Sequence, residues 1–378
     1  MKKIFLSIIC LMLFFGCTIF EKKEVVFLEP GEIDAATKLD MPLEKAGQLK
    51  EKKLYEFTPK EMNDYLPLAW EICPDFHERI VHFARKGLGQ PYHIYLLGEF
   101  PFEIYDSDPL FCLEKSDCMV FTEHIYAMAL SKDWPQFFSL LQRIRYIGGE
   151  ISTTTRNHSS IPLWVDNNSW LLRDITEEIA PELTKPFTFT YNPNRELIND
   201  YGLDPGFPTQ KIDRSYIPLK NIPQIASRLQ NGDYVCVIRG FSEKGLWSGH
   251  VGFITKSNDG TVNFLDSAGS GVKETPLLEC VEKSLSRNKQ REEFNKWVDK
   301  AKKDKSLQKP KRKFLFFKKK APRLRKKYYH YGYKFYRPYP DPWKRLIEID
   351  GEDAPVVTGP RGLLLNRKDI PVKKKSED

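Results

Sequence analysis

Apolar residues recur at helical spacing through the first part of the chain, and after about Phe187 they give way to short β-branched runs separated by turn residues. That order constrains the fold more than any other feature. Helix-like runs cover Pro59 to Tyr65 and Phe76 to Arg85, then the segment after Cys118, then Gln136 to Tyr146. Gly232-Asp233 leads into a strand-like run ending near Arg239. Val251 to Thr255 and Thr261 to Leu265 flank Asn258-Asp259-Gly260, the pattern of a β-hairpin. Helices first and an antiparallel sheet later predict an α+β domain. No internal repeat interrupts it.

Two chemically active residues stand at element boundaries. Ser116-Asp117-Cys118 opens a helical run in which Val120, Phe121, Ile125, Met128 and Ala129 recur, so Ser116 or Asp117 can cap the turn that begins with the thiol. A helix N-terminus and a nearby imidazole both favour the thiolate, the form that attacks a carbonyl. Gly249-His250-Val251-Gly252 opens the first hairpin arm and Asp266 ends the second. In an antiparallel pair those ends are neighbours, so Asp266 can orient the imidazole while its other nitrogen faces Cys118. The plain alternative is a buried free cysteine and an unrelated histidine. His124 is a poorer partner, because six helical residues turn it about 240° from Cys118.

Gly89-Gln90-Pro91-Tyr92, Asp117-Cys118, His250-Val251-Gly252-Phe253-Ile254 and Phe264-Leu265-Asp266-Ser267 together resemble the ordered motifs of the NlpC-type papain-like cell-wall hydrolases. Asp117-Cys118 with Phe121 and Glu123, Ile144-Arg145-Tyr146, and Arg156-Asn157-His158 followed by Trp164 and Asn167 resemble its N-acetylmuramoyl-L-alanine amidase-like branch. The resemblance spans roughly residues 55 to 275. It implies a papain-like fold, with the nucleophile at a helix N-terminus packed on an antiparallel sheet that carries the histidine. It also implies Cys118 as nucleophile, His250 as base, Tyr92 as a donor near the oxyanion and Asp266 in the third role. Asp266 stands where the superfamily often has histidine, and Gly249 where Ser or Thr is common.

Arg156, His158 and Trp164 are expected to contact substrate: the guanidinium a peptide carboxylate, the imidazole a sugar or amide, and the indole the face of a pyranose. Read without the family, 152–168 is equally a polar loop anchored by one buried Trp. The implied activity is hydrolysis of muropeptides between N-acetylmuramic acid and L-alanine, without cofactor. Alternatives are a stem-peptide endopeptidase with the same site and a non-catalytic wall-binding lipoprotein.

Lys2-Lys3, the apolar stretch Ile4 to Phe15 and Gly16-Cys17 have the layout of a secretory leader with a lipoprotein-type cleavage site. Lipidated Cys17 would tether the protein in a bacterial envelope, at the outer membrane or facing the periplasm if the cell is Gram-negative. The expected division is a leader over 1–17, a tether over 18–50, the amidase domain over 51–285 and an extension over 286–378. Five cysteines follow Cys17, an odd number that accommodates one free thiol; no Cys/His cluster has zinc spacing, so no metal is expected.

The net charge of +8 is local. Residues 301–340 hold sixteen Lys or Arg against one acid, Asp304, leaving the remainder net acidic. Phe and Tyr residues are interleaved with these cations. Three readings compete: adhesion to anionic lipid or wall polymer, nucleic-acid binding, or a basic edge folded onto the catalytic domain. Export favours the first and makes nucleic acid the poorest partner.

Overall fold

The structure is a computed structural model that describes residues 27–242, 245–304, 307, 324–359 and 363–364. The expected leader with Cys17, and positions 305–306 and 308–323 of the basic stretch, lie outside the described residues. Among the described residues no helix is long and apolar enough to cross a membrane.

Six longer helices come first: α1 (Pro30–Lys38), α2 (Leu43–Glu51), α3 (Pro59–Ile72), α4 (Phe76–Lys86), α5 (Cys118–Leu130) and α6 (Trp134–Arg145). Their starts follow local chemistry. Thr58 and Glu61 form a capping box before Pro59, Asp75 accepts the Glu78 amide at 2.9 Å, and Asp133 accepts the Gln136 amide at 2.7 Å. The expected tether over 18–50 is corrected from residue 30 onward, because α1 and α2 bury Ala35, Ala36, Ala46 and Leu49 in the main core. Lys38–Glu71 and Lys50–Glu32 ion pairs, at 2.6 and 2.7 Å, fasten this layer. Small alanines let helices approach closely while adding little apolar signal to a charged segment.

An eight-stranded antiparallel sheet follows: β1 (Leu172–Asp174), β2 (Lys185–Tyr191), β3 (Gln210–Pro218), β4 (Tyr234–Gly240), β5 (Leu246–Lys256), β6 (Val262–Ala268), β7 (Gly271–Pro276) and β8 (Tyr329–Pro338). Its order is β2-β3-β8-β4-β5-β6-β7, with β1 also paired to β8. Between β7 and β8 runs the long helix α7 (Leu277–Lys303), and α8 (Pro342–Asp350) follows the last sheet strand. The predicted hairpin is β5–β6, with Phe253 opposite Leu265 and Gly260 at φ 84°, where the turn favours a residue without Cβ. Both faces are covered. Tyr234, Cys236 and Ile238 of β4 point into the core shared with α3–α6, while Val235 and Val237 point into a second core with Leu277 and Val281 of α7.

The expected division at 285/286 is also corrected. α7 runs across it, and β8 is an interior strand hydrogen-bonded to β3 and β4: Tyr333 stands opposite Ile217 and Val237. Lys334 is fully buried and paired with Asp174, and Arg337 meets buried Asp233 at 2.7 Å. Part of the basic stretch is therefore folded into the central sheet. The window's charge hid the alternation Tyr331, Tyr333, Phe335, which is the pattern of a buried strand.

Candidate active site

Asp117 caps α5 by accepting the amides of Met119 at 2.9 Å and Val120 at 2.8 Å, leaving Cys118 as the first helical residue, half-buried and with a free thiol. The preceding turn is held by a buried polar knot. Ser116 donates to Gln90 Oε1 at 2.7 Å, Gln90 Nε2 donates to the Leu113 carbonyl at 2.6 Å, and Ser267 donates to the Ser116 carbonyl at 3.1 Å. Ser267 follows Asp266 on β6, so the knot fastens the thiol's turn to the strand that carries the carboxylate. Gln90 and Ser267 stand in the motifs around Gly89 and Asp266 but had no role in the sequence reading, and Ser116, a candidate cap there, is spent in this knot while Asp117 does the capping.

His250 lies where β5 slips by one residue against β4, between the pairs Cys236–Val251 and Ile238–Ser248. Such a bulge re-aims a side chain. Its Nε2 is 2.6 Å from Asp266 Oδ2. Burial works against an imidazolium here, but hydrogen bonds with Asp266 and with Cys118 outweigh it and push His250 up to about 9. With Nε2 engaged by the carboxylate, Nδ1 is the nitrogen left for the thiol. Gly252 keeps the space open, since a Cβ there would stand 3.0 Å from Asp266 Cβ and 2.8 Å from Phe264 Cε2.

Tyr92 is bridged to Ser116 and joins Cys118, His250 and Asp266 in the wall of one cavity of about 460 Å³. Burial, then the neighbouring Cys118 and Asp117, push its hydroxyl up from the usual phenol range. Four of the expected residues thus come together. Arg239, which sequence reasoning did not single out, lines the same cavity and donates to the Gly249 carbonyl at 2.6 Å. A Cβ at 249 would lie 2.5 Å from Arg239 Cδ, which accounts for glycine where Ser or Thr is common.

The three expected substrate contacts are placed elsewhere. Trp164 is fully buried and stacked on Tyr234 at 4.9 Å, so the reading of its indole as a sugar platform is corrected: that face is spent in the core. Arg156 is buried against Glu99 at 3.1 Å and Asp106 at 3.0 Å, and its Nη1 also donates to the Leu97 carbonyl, so its charge is already matched. His158 bonds the Thr153 carbonyl through Nε2 at 2.7 Å; burial, then Arg156, push it down to about 4. None of the three lines the Cys118 cavity. The acidic partners of Arg156 arrive from a loop some fifty residues earlier, which no local pattern announces.

Instead these residues belong to a buried electrostatic brace behind α5. Arg145 meets Glu123 at 3.2 Å and the Leu97 carbonyl at 2.8 Å, while Tyr146 and Thr153 donate to Glu99 at 3.0 and 2.9 Å. Burial pushes Glu123 up to about 7 against the pull of Arg145. Removing one member of a buried pair strands the other. Arg145→Met is expected to destabilise the protein by about 3–5 kcal/mol, read as a lower urea midpoint with unchanged slope. Glu123→Gln is expected to cost less, because Arg145 keeps its carbonyl partner.

Comparison with known proteins adds the family context. The profile of a family described as AmiA-like, N-acetylmuramoyl-L-alanine amidase-like, matches residues 82–287. Among solved structures, a Legionella pneumophila protein assigned to DUF1460 has a TM-score of 0.55 at 18% identity, covering 74% of this chain and 95% of its own. An N-acetylmuramoyl-L-alanine amidase from Bacteroides uniformis gives 0.47 at 17%, covering 70% and 98%. The first of these likenesses shows a shared fold. No curated protein sequence matches the chain.

Proposed function

The chain belongs to the AmiA-like, N-acetylmuramoyl-L-alanine amidase-like family, and on that premise we propose that it is a cysteine hydrolase cutting peptidoglycan fragments between N-acetylmuramic acid and L-alanine. The observation that carries this reading is His250 held between the Asp266 carboxylate and the Cys118 thiol at a capped helix N-terminus. Such an arrangement supports a papain-like, NlpC-type mechanism.

In that mechanism His250 Nδ1 takes the thiol proton and the Cys118 thiolate attacks the lactyl carbonyl carbon. Asp266 keeps the imidazolium oriented through Nε2. Asp117 already holds the Met119 and Val120 amides, so the Cys118 amide and the Tyr92 hydroxyl are the donors proposed for the oxyanion. Collapse breaks the C–N bond, and the L-alanine amine leaves with the proton from His250. A water molecule then hydrolyses the thioester, giving its proton to His250 and regenerating the thiol. A lipid-bearing Cys17 would hold the enzyme in the envelope, where this substrate lies.

Mass spectrometry of a defined muropeptide incubated with the leader-free protein tests the reading. The expected products are an intact L-alanine-initiated stem peptide and a free muramic acid carboxylate. A truncated muropeptide would move the cut into the stem, and no product would remove the hydrolase reading.

A further inference from the structure

The cavity that holds Cys118 and His250 extends past Asp266 toward α7 and β8, and its wall carries four cations, Arg239 beside His250 and then Lys273, Lys283 and Arg287. Asp266 is the one acid among the lining residues, and His250 occupies it. Lys283 pairs with Glu279 one turn earlier. Arg239, Lys273 and Arg287 have no ion pair with a carboxylate among the described residues. An adjoining cavity of about 630 Å³ shares Arg287 and continues the positive wall with Arg291, Arg325 and Lys327.

His330 on β8 also lines the catalytic cavity. It is 7% exposed, its Nδ1 lies 3.0 Å from Ser284 Oγ, and its backbone is clamped by Asn288. Its Nε2 is buried without a partner. Burial, then the crowding of Arg239, Arg291 and Arg287, push this imidazole down to about 3, so it is neutral at physiological pH. A fixed polar atom without a partner, among unmatched cations in the cavity wall, is an environment suited to an anionic ligand.

We propose that Arg239, Lys273, Arg287 and His330 form the stem-peptide subsite, which binds the free carboxylates of the leaving peptide and makes the enzyme selective for acidic, non-amidated stems. The proposal rests on the amidase reading for the identity of the ligand. Once the lactyl carboxyl is tied up as an amide, the muramyl sugar is uncharged, and the anionic groups of the substrate lie on its glutamyl residue and its C-terminus. Continuity with the thiol's cavity favours the stem over a wall polymer bound from outside. Three of the four groups lie on β4, β7 and α7 within the chain segment matched by the family profile; His330 comes from beyond it.

The test uses Cys118→Ser protein and isothermal calorimetry with the tripeptide L-alanyl-γ-D-glutamyl-L-lysine. Two counterparts carry a carboxamide at the glutamyl α-carboxyl or at the C-terminus, which tells the two carboxylates apart. At least one amide is expected to bind about tenfold or more weakly at low salt. That gap is expected to close in Arg239→Gln and in Arg287→Gln, the latter on an exposed helical face where folding is not at risk. Equal binding of all three peptides, or a gap that survives both variants, overturns the subsite. A protein that discriminates the peptides yet releases no stem from a muropeptide keeps the subsite and loses the amidase reading. Equal kcat/KM on acidic and amidated muropeptides keeps the amidase and removes the subsite.

Discussion

Cys118→Ser is expected to lower muropeptide hydrolysis by at least about 10³-fold while leaving the melting midpoint within about a degree of the parent. A serine hydroxyl at this half-buried helix start fits the space but supplies far less anion at neutral pH, and the chemistry proposed here runs through the anion. Iodoacetamide should inactivate the parent in step with alkylation of Cys118; full activity in the alkylated protein would sink the thiol mechanism. The same mechanism fixes a pH profile. Departure of the amine needs the imidazolium, which Asp266 and Cys118 sustain up to about 9, so kcat/KM should fall as pH rises through that value. Asp266→Asn removes the carboxylate that opposes the burial penalty, so the alkaline limb is expected to move to lower pH. An unmoved limb would assign that limb to another group.

Truncation after residue 285 is expected to abolish folding altogether. The cut removes β8, so β3 and β4 each lose a hydrogen-bonded neighbour in the middle of the sheet. It also removes the buried rings of Tyr333, Phe335 and Tyr336, whose burial alone is worth about 5–9 kcal/mol. Whole domains are stable by about 5–15 kcal/mol. Buried Asp233 would lose Arg337 as well. The shortened chain should show no cooperative melt by circular dichroism and should form inclusion bodies; a soluble product with a native-like transition would refute the sheet order described above. It follows that attachment through the basic stretch cannot be tested by deleting everything after 285. Neutralising Lys311, Arg312, Lys313, Lys318, Lys319 and Lys320 together leaves β8 intact and addresses the charge directly.

The parts of the site that sequence made legible were those written in local signals. A cap before an apolar helix marked Cys118, and a turn with Gly260 between two strand-like arms brought His250 and Asp266 to neighbouring ends. What escaped was encoded across distance. Arg156 looked available because Glu99 and Asp106 lie far away in sequence, and Trp164 looked like a sugar platform because nothing local says that Tyr234 covers it. The helical part from Pro59 to Arg145 was legible from periodicity, whereas α1 and α2 are built on alanines whose packing value exceeds their hydropathy. β8 was read as charge because its lysines and arginines outweigh, in any composition window, the aromatic alternation that buries it.

The position of β8 also sets a schedule for the molecule. A ribosome releases Cys118, His250 and Asp266 well before Tyr329–Pro338, yet that late segment lies between β3 and β4 and supplies His330 and Tyr333 to the cavity wall. Pairings between distant segments form slowly because the intervening loop must close first. A growing chain therefore carries the thiol, the imidazole and the carboxylate before it has the framework that spaces them, and the activity proposed for them waits until β8 has emerged and paired.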